Sequence, residues 1–544
     1  MAATTERRAP RVLAGRLAFS ELSRSAVIWG VVFALTIVAS AVAYRSTYGT
    51  PAEREQLLRG IARNSGFRAL FGPARSVDTV GGFLAWRSLS IMPLIAGVWG
   101  LLVGTRLLRG EEDRGRWETL ISAPLARGTA TLWTLLATFA GAAVIFVLSA
   151  LAVIATIVRT GDASLAGALW FALAVTVAAP VFSAVGGVTS QIAASRREAA
   201  ALAGVAFAVA YLVRVAADGS ASLSWLNWLT PLGWIEEMRP LTGARPLAIL
   251  PLVAAIALLV LAGVALSSRR DLGASLLART DDRPPRELGL GSALGLTLRE
   301  SLGGLAGWSA ALALVAFVYG FVSKAVAQLA RTSLGISKHV QSTIGHRVDI
   351  ASAKGYMALV FVFLAVALSI YAVTHATAAR EEEATGRLDT LLGEPLGRRA
   401  WLGGRIAVGL LCSALVAIAM ALGAWLGGAV KGASITLPDM LQAAGNALPV
   451  VALFLGLAML GFAIAPRHTG AIAFGSVGVA YLWQQTGEIL KAPGWVLAPS
   501  PFHWLALVPS EPFDLTASVV MAGTGALAAI ASLEVFRRRD LVGI

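Results

Sequence analysis

The chain has 544 residues, of which 57% are hydrophobic and only 14% charged, with a net charge of +14. A soluble chain carries about 25% charged residues, so a globular core cannot bury this much apolar surface and a bilayer must solvate it. The basic balance of a chain with mean hydropathy +0.73 points to anionic lipid headgroups before nucleic acid, and no nucleic-acid partner is expected.

A membrane span needs about 20 apolar residues. After a polar start with Arg7, Arg8, Arg11 and Arg16, candidate spans fall near 26–43, 85–105, 129–157, 167–192, 198–217 and 248–267. A second series follows near 305–323, 356–378, 401–427, 440–465, 469–487 and 514–534. The expected fold is therefore all-α and integral to the membrane, with about twelve transmembrane helices. With the N-terminus on the cytoplasmic side, the inner segments hold 26 Lys and Arg against 16 in the outer ones. That bias favours cytoplasmic N- and C-termini.

Between the first two spans, Arg54, Leu57, Leu58, Ile61, Arg63, Phe67, Arg68, Leu70 and Phe71 have the spacing of an amphipathic surface helix. After spans five and eleven, Trp225, Trp228, Trp234, Trp495 and Trp504 suit interfacial anchoring, with an outer gate as the sharper alternative. Gly186-Gly187 reads as a close-packing device. The lone Cys412 allows no intrachain disulfide, and the five histidines show no metal-ligand spacing.

The most informative signal is an internal repeat. Arg109-Gly-Glu-Glu-Asp-Arg-Gly-Arg-Trp-Glu-Thr-Leu-Ile-Ser-Ala-Pro-Leu-Ala-Arg127 recurs 271 residues later, from Arg380 to Arg398. Glu111, Glu112, Gly115, Arg116, Leu120 and Pro124 are matched by Glu382, Glu383, Gly386, Arg387, Leu391 and Pro395. Val209-Ala-Tyr211 matches Val479-Ala-Tyr481, and Pro231 with Trp234 matches Pro501 with Trp504. Each half closes on Arg-Arg-Asp-Leu, at 269–272 and 538–541, and Glu21 with Trp29 precedes the first half as Glu300 with Trp308 precedes the second. Six spans per unit make the two copies parallel, related by a pseudo-two-fold axis along the bilayer normal. The expected domains are 1–267, a linker at 268–300, and 301–544.

In the repeated loop, Trp117, Leu120, Ile121 and Leu125 (Leu388, Leu391, Leu392 and Leu396 in the second copy) form one stripe of a short helix. Glu111, Glu112 and Glu118, with Glu382, Glu383 and Asp389, flank the stripes, and Pro124 and Pro395 end them. A striped helix with acidic edges suits a groove on a soluble partner. Resting on the membrane surface is the plainer alternative, which acidic flanks disfavour.

This motif, E-E-x-x-G-R followed by a proline after the second span, resembles the coupling region of permeases in the type-2 ABC exporter superfamily. The double length resembles fused permeases for polyketide antibiotics of the tetronasin type and for multidrug efflux. The resemblance implies the type-2 ABC exporter transmembrane fold, elbow helices near 11–24 and 292–303, and coupling helices near 110–126 and 381–397. It also implies two copies of a separate ATP-binding subunit that bind ATP and Mg²⁺, and residence in a bacterial cytoplasmic membrane. No G-x-x-x-x-G-K-[ST] loop occurs here, since none of Lys324, Lys338, Lys354, Lys431 and Lys491 precedes Ser or Thr. No cofactor and no enzymatic activity are therefore expected in this chain itself.

An amphiphilic or hydrophobic substrate needs a largely apolar, aromatic path. Its candidate residues are Trp99, Tyr211, Arg214, Tyr319, Tyr371, Tyr481, Trp483 and Gln484. Arg214 either faces that path or snorkels to water near the end of its span. Two other classes stand beside the exporter reading. One is a proton-coupled secondary drug transporter, which shares two parallel six-span halves; the other is an intramembrane enzyme using the repeated carboxylates.

Overall fold

The computed structural model describes residues 9–48, 50–51, 54–55, 72–121, 125–219, 221–271, 273–275, 292–332, 351–393, 395–489 and 492–541. Among these residues the protein is helical, with no β-strand. It divides into two compact units, 1–283 and 284–544. The amphipathic segment expected at 54–71 lies almost wholly outside the described residues, as does Pro124.

The first unit opens with α1 (Ala9–Thr47) and α2 (Val80–Thr105), followed by the short α3 (Arg116–Ile121) and the long α4 (Arg127–Val153). The next span is split into α5 (Leu165–Thr176) and α6 (Ala178–Ile192). Then come α7 (Arg196–Gly219), the short α8 (Pro231–Glu237) and α9 (Ile249–Arg269). The second unit repeats the order: α10 (Ala293–Thr332), α11 (Ala353–Ala384), the short α12 (Arg387–Leu392) and α13 (Arg398–Val430). A split span, α14 (Leu437–Asn446) and α15 (Leu448–Ile464), precedes α16 (Thr469–Ile489) and α17 (Leu515–Arg538).

Eleven helices among the described residues are long and apolar enough to cross a membrane, against the about twelve expected. The remaining candidate, α16, is an unbroken helix of 21 residues. Gln484, Gln485 and Glu488 near its end lower its hydropathy. Large apolar side chains such as Leu258, Leu261, Leu527 and Ile530 are 63–71% exposed, as helices solvated by lipid require.

Two expectations are corrected. The elbow helices near 11–24 and 292–303 are not separate elements, because α1 and α10 run through both segments without a break. Pro10 stands in the first turn of α1, where it is tolerated, and no proline falls inside either segment. The spans at 167–192 and 440–465 are each two helices, breaking at Val177 and Ala447. Pro180 and Pro449 have no N–H to give the carbonyl four residues earlier, so the ladder is interrupted at the same place in both halves.

Small residues set the helix spacing. A Cβ on Gly423 would lie 2.1 Å from the Ala313 carbonyl oxygen, and one on Gly427 would lie 2.0 Å from that of Phe317, so α10 and α13 meet backbone to backbone. Gly186 and Gly187 abut Leu101 and Thr105 of α2 and Leu135 of α4.

Candidate functional site

The repeated motifs converge. In the first unit α2 continues through a wide turn at Arg106–Gly110 and one helical turn at Glu111–Asp113 before α3 begins. The Glu112 side chain, only 6% exposed, receives two hydrogen bonds from Arg270, at 2.7 and 2.5 Å, and one from the Gly273 amide at 2.8 Å. Arg270 donates through Nε to Gln191 at 2.8 Å. Arg109, buried beside Glu112 at 3.4 Å, donates to the carbonyls of Ala194 and Ala274. Asp113 accepts from the Arg196 amide at the start of α7, at 2.7 Å. Glu21 of α1 pairs with Arg106 at 3.0 Å and Arg116 at 3.4 Å. Arg127 donates to the Arg270 carbonyl.

The second unit builds the same hub from equivalent residues. Arg539 grips Glu383 with two hydrogen bonds, at 2.6 and 2.8 Å. Glu300 of α10 pairs with Arg387 at 3.0 Å, and Arg398 donates to the Arg539 carbonyl at 2.6 Å. The supports differ between halves. Where Arg270 has Gln191, Arg539 lies over Phe462 and Phe536, with its guanidinium carbon 5.1 and 5.0 Å from the ring centres. Arg405, stacked on Trp401, also binds Glu382 and Glu300.

A forked guanidinium holding a carboxylate by two parallel bonds fixes orientation as well as distance. Each hub therefore ties the segment after the second span to the first helix of its half and to the end of its last. Gly115 and Gly386 each adopt φ +72° between the last turn of the second span and the short helix. A Cβ at either would meet nothing within 4 Å, so the requirement is conformational, not spatial.

The described members of the apolar stripes face the protein's own core, which corrects for them the expectation that they fill a partner's groove. Trp117 and Leu125 pack with Leu108, Ala130 and Leu135, and Trp117 donates to the Leu107 carbonyl at 3.2 Å. Leu388 is fully buried, and Leu391, Leu392 and Leu396 lean on the same core. The helical backbone includes Leu120, whose side chain is outside the described set. Glu112, Glu382 and Glu383 are occupied by arginines of this chain, while Glu118, Asp389, Gly115, Arg116, Arg387 and Pro395 are exposed. Spacing reveals a stripe but not which surface covers it.

The proposed substrate-path residues have the following surroundings within their own halves. Trp99 is buried and donates to Ser25 Oγ at 3.2 Å, and Tyr371 packs on Trp308, so both seal the second span to the first within their halves. Tyr319 is partly exposed near Tyr356, and Tyr481 packs between Phe363 and Phe502. Trp483 is half exposed and donates to the Val496 carbonyl, Gln484 is buried, and Tyr211 leans on the first core. Trp234 and Trp504 each donate to the carbonyl six residues before, a repeated strut among exposed tryptophans.

Arg214 neither faces an open path nor snorkels. Its side chain is 3% exposed, and Nε donates to Asp218 at 3.3 Å and Glu236 at 3.1 Å. Asn227 also donates to Asp218, at 3.1 Å. Beside this group Glu237 gathers Arg75, Arg239 and Arg245. Burial, and then the nearby Arg239 charge, hold the Arg75 guanidinium below its ordinary pKa. Sequence reasoning missed Asp218, Glu236 and Asn227; the Arg214-x-x-x-Asp218 spacing, one helical turn, was the available signal.

Comparison with known proteins agrees with this layout. Residues 16–272 match the family described as ABC-2 family transporter protein. Residues 290–537 match the C-terminal domain of the multidrug efflux system permease Rv1217c. The Multidrug efflux system permease protein Rv1217c of Mycobacterium tuberculosis is 28% identical over 519 residues, covering 94% of this chain and 92% of the relative. With eleven apolar spans among the described residues and a family match in each half, the chain is a multi-pass membrane protein similar, half by half, to ABC-2 family transporter and multidrug efflux permease proteins.

Proposed function

We propose that this permease exports amphiphilic or hydrophobic compounds, including drugs, across the bacterial cytoplasmic membrane, driven by two copies of a separate ABC ATP-binding subunit. The multidrug efflux name of its relative supports the substrate class. The segments 110–126 and 381–397 act as coupling elements on the cytoplasmic face, with both termini on that side. ATP and Mg²⁺ belong to the partner, where closure of the nucleotide sites supplies the force.

The observation that carries this reading is the duplicated hub. A push on the exposed turn at Arg114–Arg116 or Thr385–Arg387 reaches the last span through Glu112 and Arg270, or through Glu383 and Arg539. It reaches the first span through Glu21 or Glu300. The buried stripe of each short helix keeps the turn from sliding over the bundle, so displacement passes into helix tilt. Reorientation of the binding cavity between inward and outward access follows from that tilt.

The test is reconstitution with a separate ABC ATP-binding subunit that co-purifies with this chain. Drug-stimulated, vanadate-sensitive ATPase is expected, and the Glu118→Arg plus Asp389→Arg variant, altered only on exposed faces, should lose stimulation while its spans stay folded. Glu112→Arg plus Glu383→Arg should lose it too, with a lower melting temperature. Unaltered stimulation in both variants, or drug export that stops with a protonophore and ignores ATP, would overturn the reading in favour of a proton-coupled transporter.

A further inference from the structure

At the end of α7 one buried guanidinium serves two buried carboxylates. Arg214, Asp218 and Glu236 side chains are 3%, 2% and 8% exposed, and both acids accept from the same Nε–H. The cation balances one of them. A second uncompensated anion at this depth costs several kcal/mol, on the order of the penalty for any unpaired buried ion. Asn227 assists Asp218 by donating to Oδ1, but adds no charge.

Glu236 Oε1 is buried without a hydrogen-bond partner among the described residues. It lines a cavity of about 20 Å³ bounded also by Arg75, Trp86 and Arg239, room for one water molecule. A metal ion is a poor occupant, because three guanidiniums surround that space and the described residues contain no group of three metal-ligating side chains. The smallest cation avoids both objections. We propose that Asp218 and Glu236 hold a single proton between them, forming a proton-binding site in the first half.

The other charged groups facing the pair leave this balance standing. Tyr211 lies one turn before Arg214 on α7. Glu237 of α8 collects Arg75, Arg239 and Arg245 at 2.8–3.6 Å. Those three guanidiniums are 24–49% exposed and form their ion pairs with Glu237; Arg75 and Arg239 also border the cavity at Glu236, where water and Glu237 weaken their hold on the deeper pair. In the repeat, Gln484 stands for Arg214 and Ala506 for Glu236, so the second half cannot assemble the pair. The site makes the two halves chemically unequal and gives the permease one such proton.

Infrared spectroscopy of the purified full-length protein in lipid tests this directly. At neutral pH the wild type should show a carboxylic-acid C=O stretch in a solvent-shielded position, lost on alkaline titration. Asp218→Asn and Glu236→Gln each restore one acid per arginine, and each should abolish that band; Glu237→Gln should retain it. Asn and Gln preserve shape, and spectra are compared only for variants that elute as monodisperse protein. Absence of the band from the wild type overturns the proposal, as does its survival in either of the first two variants.

Discussion

Glu383 and Arg539 lie 156 residues apart in sequence, yet the guanidinium meets the carboxylate with two bonds while stacking on Phe462 and Phe536. The Glu383 side chain is 1% exposed. Breaking such a pair strands a buried charge and costs about 3–5 kcal/mol. Arg539→Ala should therefore lower the thermal midpoint sharply. Replacing both partners, Glu383→Gln with Arg539→Met, should recover much of the stability without recovering drug-stimulated ATPase. Equal recovery of both would show that the pair is only structural.

The arginine anchors of the two hubs have different supports, and this predicts unequal sensitivities. Phe462 is fully buried, so Phe462→Ala should cost about 3–5 kcal/mol. Gln191→Ala removes one hydrogen bond to a charged group, worth about 1.5–3 kcal/mol. Denaturation monitored separately in each variant ranks them; the reverse order would contradict the aromatic-support argument.

Gly115→Val and Gly386→Val should destabilise through the backbone alone, since a Cβ at either has free space around it but φ is +72°. Asn, which tolerates the left-handed region, should be milder than Val at both sites. If Val and Asn have the same melting temperature, the strain argument fails.

Close helix contact yields a sharper contrast. Gly427→Val places atoms into the Phe317 carbonyl, whereas Gly478→Ala meets nothing within 4 Å. The first substitution should abolish monodisperse protein or shift its melting temperature downward by many degrees. The second should leave both within error.

Much of the fold was legible because bilayer thickness imposes length on every span, and because duplication lets one half check the other. The hub's acidic members were legible for the same reason, as was the Arg-Arg-Asp-Leu ending of each half. Their pairing was not. Glu112 and Arg270 are 158 residues apart, and nothing in local periodicity says which repeated acid meets which repeated base. The stripe at Trp117 showed amphipathicity, but burial against the chain's own Leu108 and Leu135 depends on how α3 folds back. The breaks at Val177 and Ala447 had a visible cause in Pro180 and Pro449, hidden by hydropathy that stays high across the break. Arg214 stood out as a charge in a span, but its two acid partners come from different elements, α7 itself and α8.

Among the described residues, Glu112 pairs with Arg109 and Arg270, and Glu383 with Arg380 and Arg539, each on its own side of the 283/284 boundary. A chain nicked there keeps both clasps whole. Two separately translated pieces should thus each mature unaided in the membrane, which offers a route to mixing a damaged half with a sound one and counting how many working levers a transport cycle needs.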